Sequence, residues 1–279
     1  MIAKRKLTEV HEISSLQNPR VKQAVRLRDR RDRDREQLFL IEGYRELLRA
    51  GENRYPVERI FFCRAMFQGH NEMALLAEFE ARGVPLFEVT GPVLRKMAYR
   101  DRPEGLVAVA RQVHRGLADL PDRDRPFLLI AEAIEKPGNL GTMLRSADAV
   151  GVDGFILCDA CTDLFNPNVV RASTGTLFSV PVIEARSSDT VSWLKRRGIG
   201  VVAATPHAEE RYTDVDMSGP VAVVVGTEQY GLSNLWMQQS SCRVRIPMLG
   251  KADSLNVASA TTLMLYEVIR QRGLGDAAV

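Results

Sequence analysis

The sequence predicts an α/β protein in two parts, the second of them built on a parallel sheet. Three observations lead there. Near-continuous aliphatic runs such as Phe127-Leu128-Leu129-Ile130-Ala131 and Val221-Ala222-Val223-Val224-Val225 have the pattern of strands covered on both faces. Segments with apolar residues at helical spacing lie between such runs, and that alternation is the signature of βαβ units. A polar stretch rich in Asp and Arg, Leu117 to Arg125 with Pro121 inside it, divides the chain into a smaller domain over 1–115, a linker over 116–126 and a second domain over 127–279.

The elements of the first domain follow in order. Leu16 to Gln37 reads as one helix, with Asn18 as its cap, Pro19 at its first position and Val21, Ala24 and Val25 on a narrow apolar face. Leu38 to Gly43 is a buried strand, followed by a helix through Leu47 and Leu48 that stops at Gly51. Arg59 to Cys63 is a strand, Met73 to Ala81 a helix, and Pro85 to Val89 another strand. Thr90-Gly91-Pro92 opens a short helix, and Pro103-Glu104-Gly105 turns into the strand Leu106 to Ala110. Nothing here has a catalytic pattern, and His70 and His114 read as isolated surface histidines.

In the second domain the strands are Phe127 to Ala131, Gly154 to Leu157, Ile199 to Ala204, Val221 to Val225 and Arg243 to Ile246. Helices are expected over Gly141 to Val150 and Asp189 to Arg197. Val257, Thr261, Leu265, Val268 and Ile269 recur at helical spacing, so a last helix runs to about Arg272 and stops at Gly273. Asp253, Ser254 and Asn256 therefore stand where helix caps stand, beside unpaired backbone N–H groups. A capped junction explains one such residue well and three poorly.

Composition narrows the class. The 279 residues suffice for two modest cores, and 45% hydrophobic with 26% charged residues is ordinary for a soluble protein. No apolar run approaches the roughly 20 residues that span a bilayer. No apolar core of a signal peptide follows the charged Met1–Lys6, so a cytoplasmic protein with no membrane partner is expected. Four cysteines form no framework, and Cys158-x-x-Cys161 lacks the second pair or histidine of a zinc site, so no metal is expected. The net charge is only +3, but Arg26 to Arg35 places arginines at near-alternate positions, which suits either a salt-bridged helix face or phosphate contact.

Ligands of open parallel sheets bind at the carboxyl ends of the strands. Three polar loops occupy such positions: Glu135 to Arg145, Val225 to Ser233, and Ile246 to Val257. Gly138-x-x-Gly141 is not the dinucleotide fingerprint, and the chain has no Walker lysine loop, no GxSxG elbow and no HExxH. The common cofactor readings fall away.

Taken together the three loops are much more specific. Asn139-x-Gly141-x-x-x-Arg145-x-Ala147-x-x-x-Gly151, Gly226-x-Glu228-x-x-Gly231, and Ile246-Pro247-Met248 through Ser254-Leu255-Asn256-Val257 occur in that order. The set strongly resembles the SpoU (TrmH-like) family of S-adenosylmethionine-dependent RNA ribose 2′-O-methyltransferases, in the SPOUT superfamily. The resemblance covers Phe127 to about Arg272. It extends more weakly, through Asn18-Pro19-Arg20 and Phe39 to Gly43, to the family's RNA-substrate-binding domain.

The resemblance implies a deep trefoil knot in the second domain, a homodimer, and a substrate in large-subunit (23S) ribosomal RNA. By position it assigns the S-adenosylmethionine contacts to Gly226, Ile246 and Leu255, joined by Met248 and by Thr205 and Pro206. It singles out Arg145 as catalytic, with Asn139, Glu228, Ser254 and Asn256 to orient it, the ribose or a phosphate. A guanidinium has a pKa above about 12, so Arg145 is expected to bind phosphate and polarise the 2′-hydroxyl while another group takes the proton. Arg20, Lys22, Arg28, Arg30 and Arg31 would grip the RNA backbone. The competing readings are transfer RNA as substrate, a base-methylating relative, and a non-catalytic RNA-binding protein on the same scaffold. The last predicts damage to Arg145, Asn256 or the Gly226 loop, and none is visible.

Overall fold

The computed structural model describes Leu7, Glu9–Thr227 and Gln229–Gly273. In chain order the early elements are β1 (Val10–Ile13), α1 (Pro19–Arg26), α2 (Arg30–Glu36), β2 (Leu38–Glu42), α3 (Tyr44–Glu52), β3 (Val57–Phe62), α4 (Glu72–Ala81), β4 (Leu86–Val89), α5 (Gly91–Met97) and β5 (Leu106–Arg111). Then come β6 (Phe127–Glu132), α6 (Pro137–Val150), β7 (Gly154–Cys158), α7 (Pro167–Ala172), β8 (Val182–Ala185), α8 (Ser187–Arg196) and β9 (Gly200–Ala204). The last are β10 (Glu210–Arg211), β11 (Val221–Val225), α9 (Asn234–Gln239), β12 (Cys242–Arg245) and α10 (Val257–Arg272). No described helix is long and apolar enough to cross a membrane.

The chain divides into two compact units. The first runs through Val113 and also takes in Asp163–Ser179, while the second holds His114–Thr162 and the chain from Val180 onward. The sequence reading assigned 127–279 to one domain, and the excursion of Asp163–Ser179 into the first unit departs from it. Its attachments explain why. Asp163 receives the buried guanidinium of Arg33, and Phe165 and Phe178 pack on Phe39 with ring centroids 4.9 and 6.3 Å apart. None of these contacts has a local sequence pattern.

In the first unit a five-stranded sheet has the order β1-β4-β3-β5-β2, with β1, β4 and β3 parallel and β5 antiparallel to both its neighbours. Val21, Ala24 and Leu27 of the α1 region and Val93 and Leu94 of α5 bury against Phe61 and Val107. The single helix expected over Leu16 to Gln37 is two. Asn18 caps α1 by accepting from the Arg20 amide at 2.9 Å, and Asp29 starts α2 afresh by accepting from the Arg31 amide at 2.8 Å. β1 was not foreseen, because four residues with His11 and Glu12 in the middle carry no apolar run.

The second unit holds seven strands in the order β10-β12-β9-β11-β6-β7-β8, and every adjacent pair is parallel. This is the parallel-sheet α/β architecture the aliphatic strands predict. β11 and β6 are wholly buried, as strands covered on both faces must be. The chain runs outward from β6 through β7 to β8, then crosses to the other side and returns through β9 to β11, so its direction reverses at the β6–β11 pair. Such a switch point leaves a crevice at the strand ends. β8, β10 and α7 have no counterpart in the sequence pattern, being two to six residues long. α10 lies along α6, where Ser146 Oγ and Thr262 Oγ1 share a hydrogen bond of 2.7 Å.

Candidate active site

The loops that follow β12, β9 and β11 leave three adjacent parallel strands at their carboxyl ends. They carry Ile246 to Asn256, Thr205 and Pro206, and Gly226 to Ser233. The expected donor contacts, far apart in sequence, thus share one edge of one sheet. The Thr205 amide donates to the Val244 carbonyl at 2.9 Å, tying the second loop to the base of the first.

Gly226 shows how tightly the third loop is drawn. A Cβ placed there would lie 2.2 Å from the Gly231 carbonyl oxygen and 2.5 Å from the Leu232 nitrogen, both of them backbone. Thr227 and Gly231 exchange backbone hydrogen bonds of 3.0 and 3.1 Å, and the Thr227 hydroxyl accepts from the Tyr230 amide at 2.9 Å. Gly231 makes the turn with φ of +69°, a value that suits glycine. Glu228 lies outside the described residues.

A buried polar network that the sequence reading missed anchors this loop. Glu132, only 6% exposed at the end of β6, accepts from the Ser233 amide at 2.8 Å and lies 3.4 Å from the Ser187 hydroxyl. Ser187 accepts from Trp236 Nε1 at 3.0 Å, so its own proton is free for Glu132. The available signal was a carboxylate ending an otherwise aliphatic strand, since a buried charge demands donors.

α6 rises from the β6 end. It starts at Pro137, whose missing N–H and preset φ suit the first helical position. Asn139, which as a short amide near the helix start would suit a cap, therefore sits inside the first turn and does not cap it. Asn139, Thr142 and Arg145 follow at intervals of three, and Thr142 and Arg145 are exposed. Arg145 stands on the exposed side of α6. Asn256 is the residue that caps a helix here: its Oδ1 accepts from the amides of Ala258 and Ser259 at 3.0 and 3.4 Å. Its Nδ2 donates to Asn139 Oδ1 at 3.1 Å, joining α10 to α6. Asp253 and Ser254 are exposed loop residues short of the cap. Ile246 and Met248 are half-buried, and Leu255 is 38% exposed.

The arginines expected to hold RNA divide into two groups. Arg28 is occupied inside the first unit, donating to the carbonyls of Lys96, Met97 and Ala98 at the end of α5. Arg30 pairs with Asp34 at 3.5 Å, and Arg20 lies over the Phe87 ring at 5.1 Å. Lys22 and Arg31 are exposed. An i,i+4 spacing within an Arg/Asp run favours such internal pairing over a free cationic stripe.

Known proteins resemble this chain in sequence and in fold. The SpoU rRNA Methylase family model matches residues 126–266, and a model of the MRM3-like substrate binding domain matches 18–108. A 23S rRNA (uridine(2479)-2′-O)-methyltransferase of Streptomyces viridochromogenes is 33% identical over 261 residues, 90% of this chain and 89% of that one. The crystal structure of an RNA 2′-O ribose methyltransferase, 40% identical, superposes with a TM-score of 0.82 over 94% of this chain and 99% of its own. An AdoMet-bound rRNA methyltransferase from Sinorhizobium meliloti, 32% identical, does so with a TM-score of 0.85 over 94% of this chain and 98% of its own. The match in sequence over half the chain, with the same fold over nearly all of it, leaves one conclusion: the chain belongs to the SpoU rRNA methylase family.

Proposed function

We propose that the protein transfers a methyl group from S-adenosylmethionine to a ribose 2′-hydroxyl of large-subunit ribosomal RNA, working in the cytoplasm as a homodimer. The observation that carries this is that three loops leave the carboxyl ends of adjacent parallel strands, and Asn256 of one of them bonds to Asn139 of α6, the helix that bears the exposed Arg145.

The residues present suit the donor. Gly226 lets the loop fold back on Gly231 where any side chain would collide, which holds the main chain of this loop close to the strand end for a ligand to meet. Thr205, Pro206, Ile246, Met248 and Leu255 complete the contacts from the neighbouring loops. When bound, S-adenosylmethionine supplies a methyl group already activated by the sulfonium charge.

The chain's own residues then position the hydroxyl and steady the charge that develops on its oxygen. The Arg145 guanidinium holds the neighbouring phosphate and polarises the 2′-hydroxyl, since it stays protonated and is no base. The Asn256–Asn139 hydrogen bond sets the first turn of α6, and with it the base from which Arg145 projects. Glu228 and Ser254 orient Arg145 or the RNA, and Lys22 and Arg31 contact its backbone. Two further expectations join the reading. Leu263 and Tyr266, 40% and 51% exposed on α10, support pairing of two copies across α10. The return of α10 onto α6 and β11 after the outer strand β12 supports threading of the last segment as a trefoil knot.

The test uses 23S rRNA from cells lacking this gene. Wild-type protein is expected to bind S-adenosylmethionine in calorimetry and to methylate one ribose, mapped by 2′-O-methyl sequencing. Arg145→Ala is expected to keep donor binding and to lose transfer by at least about a hundredfold, a loss of transition-state stabilisation. Near-normal transfer by that variant refutes the role of Arg145.

A further inference from the structure

The first unit contains an open cavity of about 660 Å³, far from featureless, that no role above uses. It lies between the start of α3 and the turn at Gln68–Glu72, and Arg171 and Thr174 of the Asp163–Ser179 segment close it. The volume is within the range of small-molecule sites. Its walls are rich in charge of both signs.

The carboxylates of the lining are already engaged. Glu46, 3% exposed, receives Arg100 Nη2 at 2.7 Å, and Glu104 receives Arg100 Nη1 at 2.5 Å. Glu72, also 3% exposed, accepts from the amides of Gly69 and Gln68 at 2.7 and 3.1 Å. The lining holds three arginines and three glutamates, but two of those arginines meet no described carboxylate. Arg45 and Arg171 are exposed at the rim and form no ion pair with a described carboxylate, and Arg100 Nε is buried without a hydrogen-bond partner. His70 and Asn71 add polar ring and amide groups to the same wall.

A second, smaller cleft shares Arg100 and Arg171 with the cavity and brings in Tyr99. That ring is 43% exposed, yet its orientation is fixed, because its hydroxyl accepts from Asn168 Nδ2 at 3.0 Å and its backbone amide donates to Glu42 at 2.7 Å. Exposed, immobilised aromatic rings beside guanidinium groups are what unpaired nucleotides use. Bases stack on the ring, forked donors take the phosphates, and amides read base edges. An acidic peptide would use the arginines and leave the ring without a role.

We propose that this cavity holds an unpaired nucleotide of the substrate RNA, with its phosphate between Arg45 and Arg171 and the adjoining base on Tyr99. The inference rests on the RNA methyltransferase reading and adds to it where the first unit takes hold of single-stranded RNA. It also relocates part of that grip, since Arg28 and Arg30 are engaged elsewhere.

The experiment measures methylation of 23S rRNA from gene-deleted cells by the full-length protein and by Arg45→Ala, Arg171→Ala, Tyr99→Ala and Tyr99→Phe. S-adenosylmethionine affinity is read by calorimetry in the same series. Each alanine variant is expected to raise the KM for RNA about tenfold, with kcat and donor affinity within about twofold of wild type. Tyr99→Phe, which keeps the ring, is expected to restore a near-normal KM. Alanine variants whose KM stays within about twofold of wild type overturn the proposal, and so does a loss confined to kcat or to donor binding. A wild-type protein that neither binds the donor nor methylates the RNA defeats the functional reading first, and the cavity proposal with it.

Discussion

The side-chain amide of Asn256 donates to Oδ1 of Asn139 across 3.1 Å, linking residues 117 positions apart. The same side chain caps α10 through its oxygen. Capping and bridging can be separated. Asn256→Ala should lower the unfolding free energy by about 1 kcal/mol, whereas Asn256→Ser, an equivalent cap too short to reach Asn139, should lose only a few tenths. Both should reduce methyl transfer to a similar extent. Urea denaturation and initial rates on the same preparations check this, and a fully active serine variant would remove the bridge from the mechanism.

Gly226 offers a contrast with Gly138. Alanine at 226 would push a methyl group into the backbone at Gly231, so the loop must open and donor affinity should fall more than about tenfold, a cost of at least about 1.4 kcal/mol. Alanine at 138 meets nothing within 4 Å and stands in the first turn of α6. It should leave donor binding intact and raise stability by about 0.5 kcal/mol. Calorimetry on the pair distinguishes a steric requirement from a general sensitivity of the site.

Arg33 is 2% exposed and meets Asp163 through Nε at 3.1 Å and through Nη2 at 2.5 Å. Its Nη1 donates to the carbonyls of Leu27 and Arg28 just beyond α1. Asp163→Asn leaves a buried guanidinium without its counter-charge, and the expected loss is about 3–5 kcal/mol. Thermal or denaturant unfolding measures it. A loss below about 1 kcal/mol would mean that water reaches the pair.

The two cysteines of Cys158-x-x-Cys161 should behave independently. Burial pushes the Cys158 thiol up to about 12, and Cys161 is exposed. At pH 8 iodoacetamide should modify Cys161 in the native protein and reach Cys158 only after unfolding, because the thiolate is the nucleophile. Because the folded value is raised, the stability that the Cys158 proton contributes is complete below the ordinary thiol range and declines as pH rises through about 12. Peptide mass spectrometry after timed labelling gives the readout.

Where local chemistry decides, the structure was legible in the chain. The apolar spacing from Val257, the oxygen of Asn256 before it and Gly273 after it define α10, and the helix has those limits. Buried aliphatic strands implied a parallel sheet for the same reason. Where a distant partner decides, it was not. Asn139 looks like a cap until Pro137 is seen to start the helix earlier, which leaves its amide for a residue on α10. Arg28 looks like a phosphate ligand until the carbonyls ending α5 close around it. Glu132 has no motif at all. Its role arises only when Ser187 of α8 gathers with Ser233 and Trp236 at the start of α9.

The excursion of Asp163–Ser179 into the first unit gives the polypeptide three covalent passages between the units, at 113–114, 162–163 and 179–180. Recombination that traded one RNA-recognition module for another by a single cut near residue 115 would leave this strip behind. It would then have lost the ion-pair partner of Asp163 and the aromatic bed of Phe165 and Phe178. Grafting a foreign recognition module onto this enzyme therefore requires replacing two separate stretches of the gene together.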